Sequence, residues 1–220
     1  MIRLISIHIP KTGGTSFYRA LQTVYGAQQV SASFRRRDYE AVVKAGGWSR
    51  ALPPQLKVLH GHLHYEEVRE LHLQHNPKII TWLRDPVDRV VSNYSFFKHR
   101  LLHPEHNPEV AAANAHRVSE TLLEYATLEE NRNRMSKFLR GLHPKDYFFI
   151  GLLESFEADY ERLGKRLGWA HIPPLPRLND NRRFRKALPE VNEEALRQLQ
   201  ALNAEDMALY DWVKTHRSAF

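Results

Sequence analysis

"HIPKTGGTSF", residues 8–17, stands where a short apolar run gives way to glycines and hydroxyls, and its reading decides the fold. Before it, Leu4, Ile5, Ile7 and Ile9 lie in a β-branched stretch, Arg3 to Ile9, of the kind that forms a buried strand. After it, Phe17, Leu21 and Val24 recur at helical spacing with Tyr18 and Tyr25 alongside, and Thr15 or Ser16 is placed to cap the first turn. The stretch therefore reads as a tight loop joining a strand to a helix. Gly13 and Gly14 allow a sharp turn, and their N–H groups, with those of Thr15 and Ser16, can point at one anion. The helix dipole and the Lys11 ammonium add to that attraction. The competing reading is an ordinary strand-to-helix turn whose glycines only relieve steric strain. A nucleoside-triphosphate loop of the form G-x-x-x-x-G-K-[ST] carries its lysine after the glycines; here the lysine precedes them, which disfavours an ATP or GTP site.

Beyond this unit, strands and helices alternate. "LKVLHGHL", 56–63, reads as a second strand, Glu66 to Gln74 as a helix that Asn76-Pro77 stops, and Lys78 to Arg84 as a third strand. Pro86 to Leu102 has the periodicity of a long helix with proline in its first turn. Helical segments follow near 119–128 and 130–140, then a fourth strand over Asp146 to Glu154 and a helix over Glu157 to Leu167. The proline-rich, basic stretch Trp169 to Pro189 reads as a surface loop, and Glu193 to Trp212 as one final helix. This alternation predicts an α/β fold with a central parallel sheet flanked by helices. The length suits a single domain spanning 1–220.

Composition narrows the function classes. With 42% hydrophobic and 26% charged residues the chain is globular, and no apolar run approaches the ~18 residues of a membrane span. We expect no signal peptide ahead of the first strand. The absence of cysteine excludes disulfides and thiolate metal sites, and points to a cytoplasmic setting. A net charge of +7 implies an anionic ligand without choosing among nucleic acid, a polyanionic sugar and a phosphate-rich cofactor. A nucleic-acid module would interleave aromatics with basic residues on an exposed sheet, whereas most aromatics here fall at helical core spacing.

Two further constellations could carry chemistry. In "TWLRDPVDRVVSNYSFF", 81–97, Arg84 ends a strand and Ser92 lies two turns into the next helix, so both can face the carboxyl end of a parallel sheet. A planar guanidinium fork and a hydroxyl suit a second phosphate; equally, Arg84 could pair with Asp85 or Asp88 to lock the turn. In "HGHLHY", 60–65, alternation puts His60, His62 and His64 on one face of a strand. Zinc ligation, simple packing, and a general base beside an anion site are the three readings of these imidazoles.

Taken together, "PKTGGTSF", "HGH" and "LRDPVDRVVSNYSFF", in this order, with "YFFIGLLESFE" and the basic loop before "LP", resemble sulfotransferases of the carbohydrate 2-O-sulfotransferase type. That group comprises the heparan sulfate and uronyl 2-O-enzymes and their bacterial relatives. The resemblance implies a P-loop-like three-layer fold and metal-free transfer of a sulfuryl group from 3'-phosphoadenosine-5'-phosphosulfate to a hydroxyl of a carbohydrate or glycoconjugate. It implies that Lys11, Thr12, Gly13, Gly14, Thr15 and Ser16 hold the 5'-phosphosulfate, and that Arg84 and Ser92 hold the 3'-phosphate. His62 matches the base and His60 its accompanying histidine; His64 has no counterpart. In the basic loop, Arg183 and Lys186, with Arg185 between them, resemble a segment that closes over the cofactor. The chain is shorter than the animal enzymes and has neither membrane anchor nor cysteine, which fits a bacterial cytoplasmic enzyme better than a Golgi one. A nucleotide or small-molecule kinase is the alternative within enzymes, and a basic nucleic-acid-binding protein the alternative outside them.

Overall fold

The computed structural model describes residues 1–31, 33–176 and 191–220. Its first strand, β1 (Leu4–Ile7), is buried along its whole length. The strand is shorter than its apolar run because Pro10 has no N–H to give a neighbour and the backbone turns, with Thr12 Oγ1 donating to the Ile9 carbonyl at 2.8 Å. Helix α1 (Gly14–Tyr25) follows at once. Its N-cap is Gly13, in the left-handed region at φ 85°, and no side chain caps it. The turn therefore comes earlier than a Thr15 or Ser16 cap requires, and that expectation is corrected.

Helices α2 (Arg36–Lys44) and α3 (Trp48–Ala51) lead to β2 (Val58–Gly61), and α4 (Tyr65–His75) leads to β3 (Lys78–Leu83). Helix α5 (Pro86–Leu102) has the bounds its periodicity predicts. It begins on Asp85, whose carboxylate accepts the Asp88 N–H at 3.0 Å, and on a proline whose missing N–H costs nothing in a first turn. The short helices α6 (Pro108–Ala113), α7 (Leu122–Thr127) and α8 (Arg134–Leu139) precede β4 (Phe149–Leu152) and α9 (Phe156–Leu167).

The predicted helix over 193–212 is two helices, α10 (Glu193–Leu202) and α11 (Ala204–Thr215). Fully buried Asn203 makes the break: its amide donates to the Leu199 carbonyl, while its side-chain oxygen accepts the Asn133 N–H. A polar side chain that serves two backbone partners inside the core interrupts a helix that periodicity alone would continue.

All strand pairings are parallel, in the order β2-β1-β3-β4. The connection leaving β1 runs outward to β2, and the one leaving β3 runs outward to β4. The loops after β1 and β3, strands that pair through Ile7 and Thr81, therefore diverge at their carboxyl ends, the switch point at which open parallel sheets bind ligands. The main core packs strand residues such as Ile5, Leu59, Ile80 and Phe149 with Phe17 and Leu21 of α1. A second cluster joins Val87, Val90 and Val91 of α5 to Leu122, Ala126 and Leu199. It seats α5 on α7 and α10 and so fixes the direction in which the other face of α5 points.

Candidate active site

At the β1–α1 turn, Lys11 is itself in the left-handed region, at φ 74°, a costly conformation for a residue with a Cβ. The α1 amino end carries neither a side-chain cap nor an acidic residue in its first turn, so the orphan N–H groups there have no anionic partner from α1 itself. Burial, and then nearby Arg84, lower the Lys11 ammonium from 10.5 to about 8. Two cations in each other's field stand beside an uncapped helix amino end, an arrangement chemically suited to an anion.

Helix α5 supplies the opposite wall. Lys11 Nζ lies 4.4 Å from the centre of the Phe96 ring, and Asp88 Oδ2 lies 3.8 Å from Arg84 Nη2. Asp88, Ser92 and Phe96 are spaced four apart and share one helix face. Ser92 therefore stands between the residue that meets Arg84 and the residue that meets Lys11. The Arg84–Asp88 contact is the turn-locking pair anticipated as the alternative for Arg84. It is long, Asp88 is exposed, and it leaves most of the five-donor fork uncommitted. Arg183 and Lys186, with Arg185, lie outside the described residues.

Of the three alternating histidines, His60 and His62 both stack on the His8 ring, whereas His64 turns away. Beside Gly61, at the end of β2, the backbone of Phe34 pairs in parallel, so close that a Cβ on Gly61 would meet the Phe34 carbonyl oxygen at 2.3 Å, and His62 N–H donates to that carbonyl at 2.7 Å. His60, 1% exposed, has Nδ1 2.9 Å from Ser6 Oγ, and burial takes its pKa down to about 3. His64 instead starts α4: its N–H donates to Glu67, its Nδ1–H donates to the Lys137 carbonyl, and its ring stacks on Phe138 at 4.2 Å. Among the described residues no group of three or more His, Cys, Asp or Glu side chains is arranged to hold a metal ion.

His62 is half-buried, with Nδ1 2.8 Å from the His8 carbonyl. A carbonyl only accepts, so Nδ1 carries the proton and Nε2 of the neutral ring keeps its lone pair. Burial lowers the His62 pKa, the bond to His8 partly offsets this, and the fields of Arg134 and Arg35 lower it further. The ring is thus kept neutral and basic at Nε2 near pH 7.

His8 had no assigned role in the sequence reading, although it opens the decisive stretch. Its ring stacks on His62 at 4.4 Å and on His60 at 5.3 Å, and His60 stacks in turn on Tyr18. The strand-end position of His8, facing an alternating-histidine strand one position over in the sheet, was the available signal.

With this geometry in place, the sequence profile described as the sulfotransferase family matches residues 2–213. The chain belongs to the sulfotransferase family. A crystal structure of a sulfotransferase from Alicyclobacillus acidocaldarius superimposes with a TM-score of 0.54 at 15% identity, covering 94% of this chain and 93% of that one. The sulfotransferase fold, a central parallel sheet flanked by helices in the P-loop-like manner, is thereby shared. A mouse sulfotransferase crystallised in complex with PAP aligns at a TM-score of 0.42 and 16% identity, over 91% of this chain and 62% of that one. Comparison with curated protein sequences gave no match. Among the described residues no helix is long and apolar enough to cross a membrane.

Proposed function

We propose that this sulfotransferase uses 3'-phosphoadenosine-5'-phosphosulfate and transfers the sulfuryl group to a hydroxyl of a sugar or glycoconjugate, in the manner of the carbohydrate 2-O-sulfotransferases. One observation supports the reading: Lys11 and Arg84, which follow neighbouring parallel strands, lie in each other's field at the same end of the sheet as a neutral histidine. A donor phosphorylated at both ends of its ribose needs two separated anion sites. In this reading Lys11, Thr12, Gly13, Gly14, Thr15 and Ser16 hold the 5' end, and Arg84 and Ser92 hold the 3'-phosphate.

When bound, the donor supplies an activated sulfuryl group and leaves as adenosine 3',5'-bisphosphate. His62 accepts the acceptor's hydroxyl proton at Nε2 as the new S–O bond forms, and its Nδ1–H bond to the His8 carbonyl keeps the ring in the tautomer that can do so. Lys11 places its charge beside the oxygen that departs from sulfur. His60, buried behind the site, acts through position rather than contact. Arg134, whose Nε is buried without a hydrogen-bond partner among the described residues, and Arg35 give the histidine side a positive field. That field favours an acidic sugar as acceptor. Residues 1–220 act as one domain here, in a cytoplasmic setting consistent with a chain free of cysteine.

The test is transfer of labelled sulfate from the donor to a panel of acidic and neutral oligosaccharides, with His62→Ala in parallel. The expected result is transfer to an acidic member and a loss of turnover of about 100-fold or more in the variant, with adenosine 3',5'-bisphosphate still bound. Near-normal turnover in His62→Ala would remove the base assignment.

A further inference from the structure

Four rings form a continuous series of contacts from α1 to the loop after β2: Tyr18 on His60 at 5.3 Å, His60 on His8 at 5.3 Å, and His8 on His62 at 4.4 Å. The planes of successive members are within 26° of parallel. His8 joins the two histidines of the HGH segment. Its N–H donates to the Gly61 carbonyl at 2.7 Å, its carbonyl accepts from His62 Nδ1, and its ring lies where a side chain on Gly14 would be, 2.0 Å from the position of a Cβ there. The first residue of α1 is thus a glycine because the His8 ring occupies the space beside it. Its Nδ1 is buried without a hydrogen-bond partner among the described residues.

We propose that the His8 imidazole is a positioning residue for His62: seated against the glycine that opens α1 and stacked flat on His62, it fixes the base's ring plane and ties it to the anion-binding loop. The proposal rests on His62 being the base for its functional meaning, but its structural content does not.

The physical argument compares what holds His62 with and without the ring. One hydrogen bond to a carbonyl fixes the Nδ1 position but leaves the imidazole free to tilt about it. A second ring at 4.4 Å and 26° removes that freedom and shields the face it covers from water. The charged groups in reach are His60 and His62 from the β2 end, Lys11 from the loop, and Arg134 and Arg35 acting on His62 from the far side. All are cationic or become so on protonation, and burial comes first among the causes that hold His8 itself well below 6.5. A neutral His8 therefore packs as an aromatic plate, and what matters is its shape rather than its charge.

An aromatic plate without ring nitrogens should therefore serve, and a small side chain should not. The experiment is a nuclear magnetic resonance pH titration of the His62 ring in ligand-free wild type, His8→Phe and His8→Ala, with adenosine 3',5'-bisphosphate binding as a check on the fold. In wild type and His8→Phe, His62 should titrate below 6.5 and its ring nitrogens should report one tautomer with Nδ1 protonated. In His8→Ala, which keeps the residue-8 carbonyl but loses the ring, the midpoint should rise toward 6.5. Turnover should fall roughly 10-fold in His8→Ala, as expected for lost orientation, and return in His8→Phe. An unchanged His62 titration in a folded His8→Ala would overturn the proposal, as would failure of His8→Phe to restore it. Full turnover in His62→Ala would instead remove the base reading, leaving the titration to decide the role of His8.

Discussion

Lys11 concentrates the conflict on which the site is built. Its backbone is in a region that lysine avoids, its ammonium is half-buried, and its neighbour is another cation. An anion bound at the α1 amino end relieves the electrostatic part of this, so binding draws a proton onto Lys11 wherever the free side chain has lost one. The free group is held near 8 and the bound one must lie higher; affinity is therefore complete below about 8 and weakens as pH rises through it. Between pH 7 and pH 9 the affinity of adenosine 3',5'-bisphosphate should fall about 10-fold, and Lys11→Arg, whose guanidinium stays protonated, should abolish the dependence. Calorimetry at the two pH values checks this, and a pH-independent wild type would show that Lys11 does not face the ligand. At this scale the strand–turn–helix around Lys11 was readable because lysine, glycines and hydroxyls follow one another in a single loop. It was not readable for His8, whose partners are 54 residues away and reach it only through strand pairing.

Among the elements, α1 carries the strictest steric demand. A Cβ at Gly14 would fall 2.0 Å from the His8 ring, which is itself packed against His60 and His62 and has nowhere to move. Gly14→Ala should therefore destabilise the protein by about 1–3 kcal/mol through overpacking, although alanine is the better helix former. It should also weaken bisphosphate binding, because the helix start is displaced. A thermal melt with a binding isotherm measures both, and a variant as stable as wild type with intact binding would mean that the ring can move aside. The elements were legible to the extent that one pattern governed each. Helix α5 has its predicted bounds because proline, an aspartate cap and an uninterrupted apolar face agree. The final helix was misread because Asn203 and Asp206 are buried for tertiary reasons: Asp206 accepts the Met135 and Ser136 N–H groups at the start of α8 and lies 4.0 Å from fully buried Arg89. Hydropathy periodicity counts such residues as surface, so it runs straight through the break. Of the alternating histidines, His64 leaves the row because it caps the start of α4, which no spacing in β2 announces.

Over the whole molecule, the strand order makes one site out of distant motifs. Alternating strands and helices were enough to predict a parallel sheet, but not that β1 would lie between β2 and β3. That placement sets the Lys11 loop beside the HGH segment on one side and beside Arg84 on the other, so three separate sequence motifs lie at one end of the sheet. The central claim is that this end of the sheet has two anion sites matched to a ribose phosphorylated at both ends. The measurement that tests it most directly is a calorimetric titration of the protein with adenosine 3',5'-bisphosphate and with AMP under identical conditions. The account predicts that the bisphosphate binds more tightly by ~2 to 4 kcal/mol, the contribution of a charge-assisted pair of hydrogen bonds from Arg84 and Ser92. Equal affinity for the two ligands would contradict it.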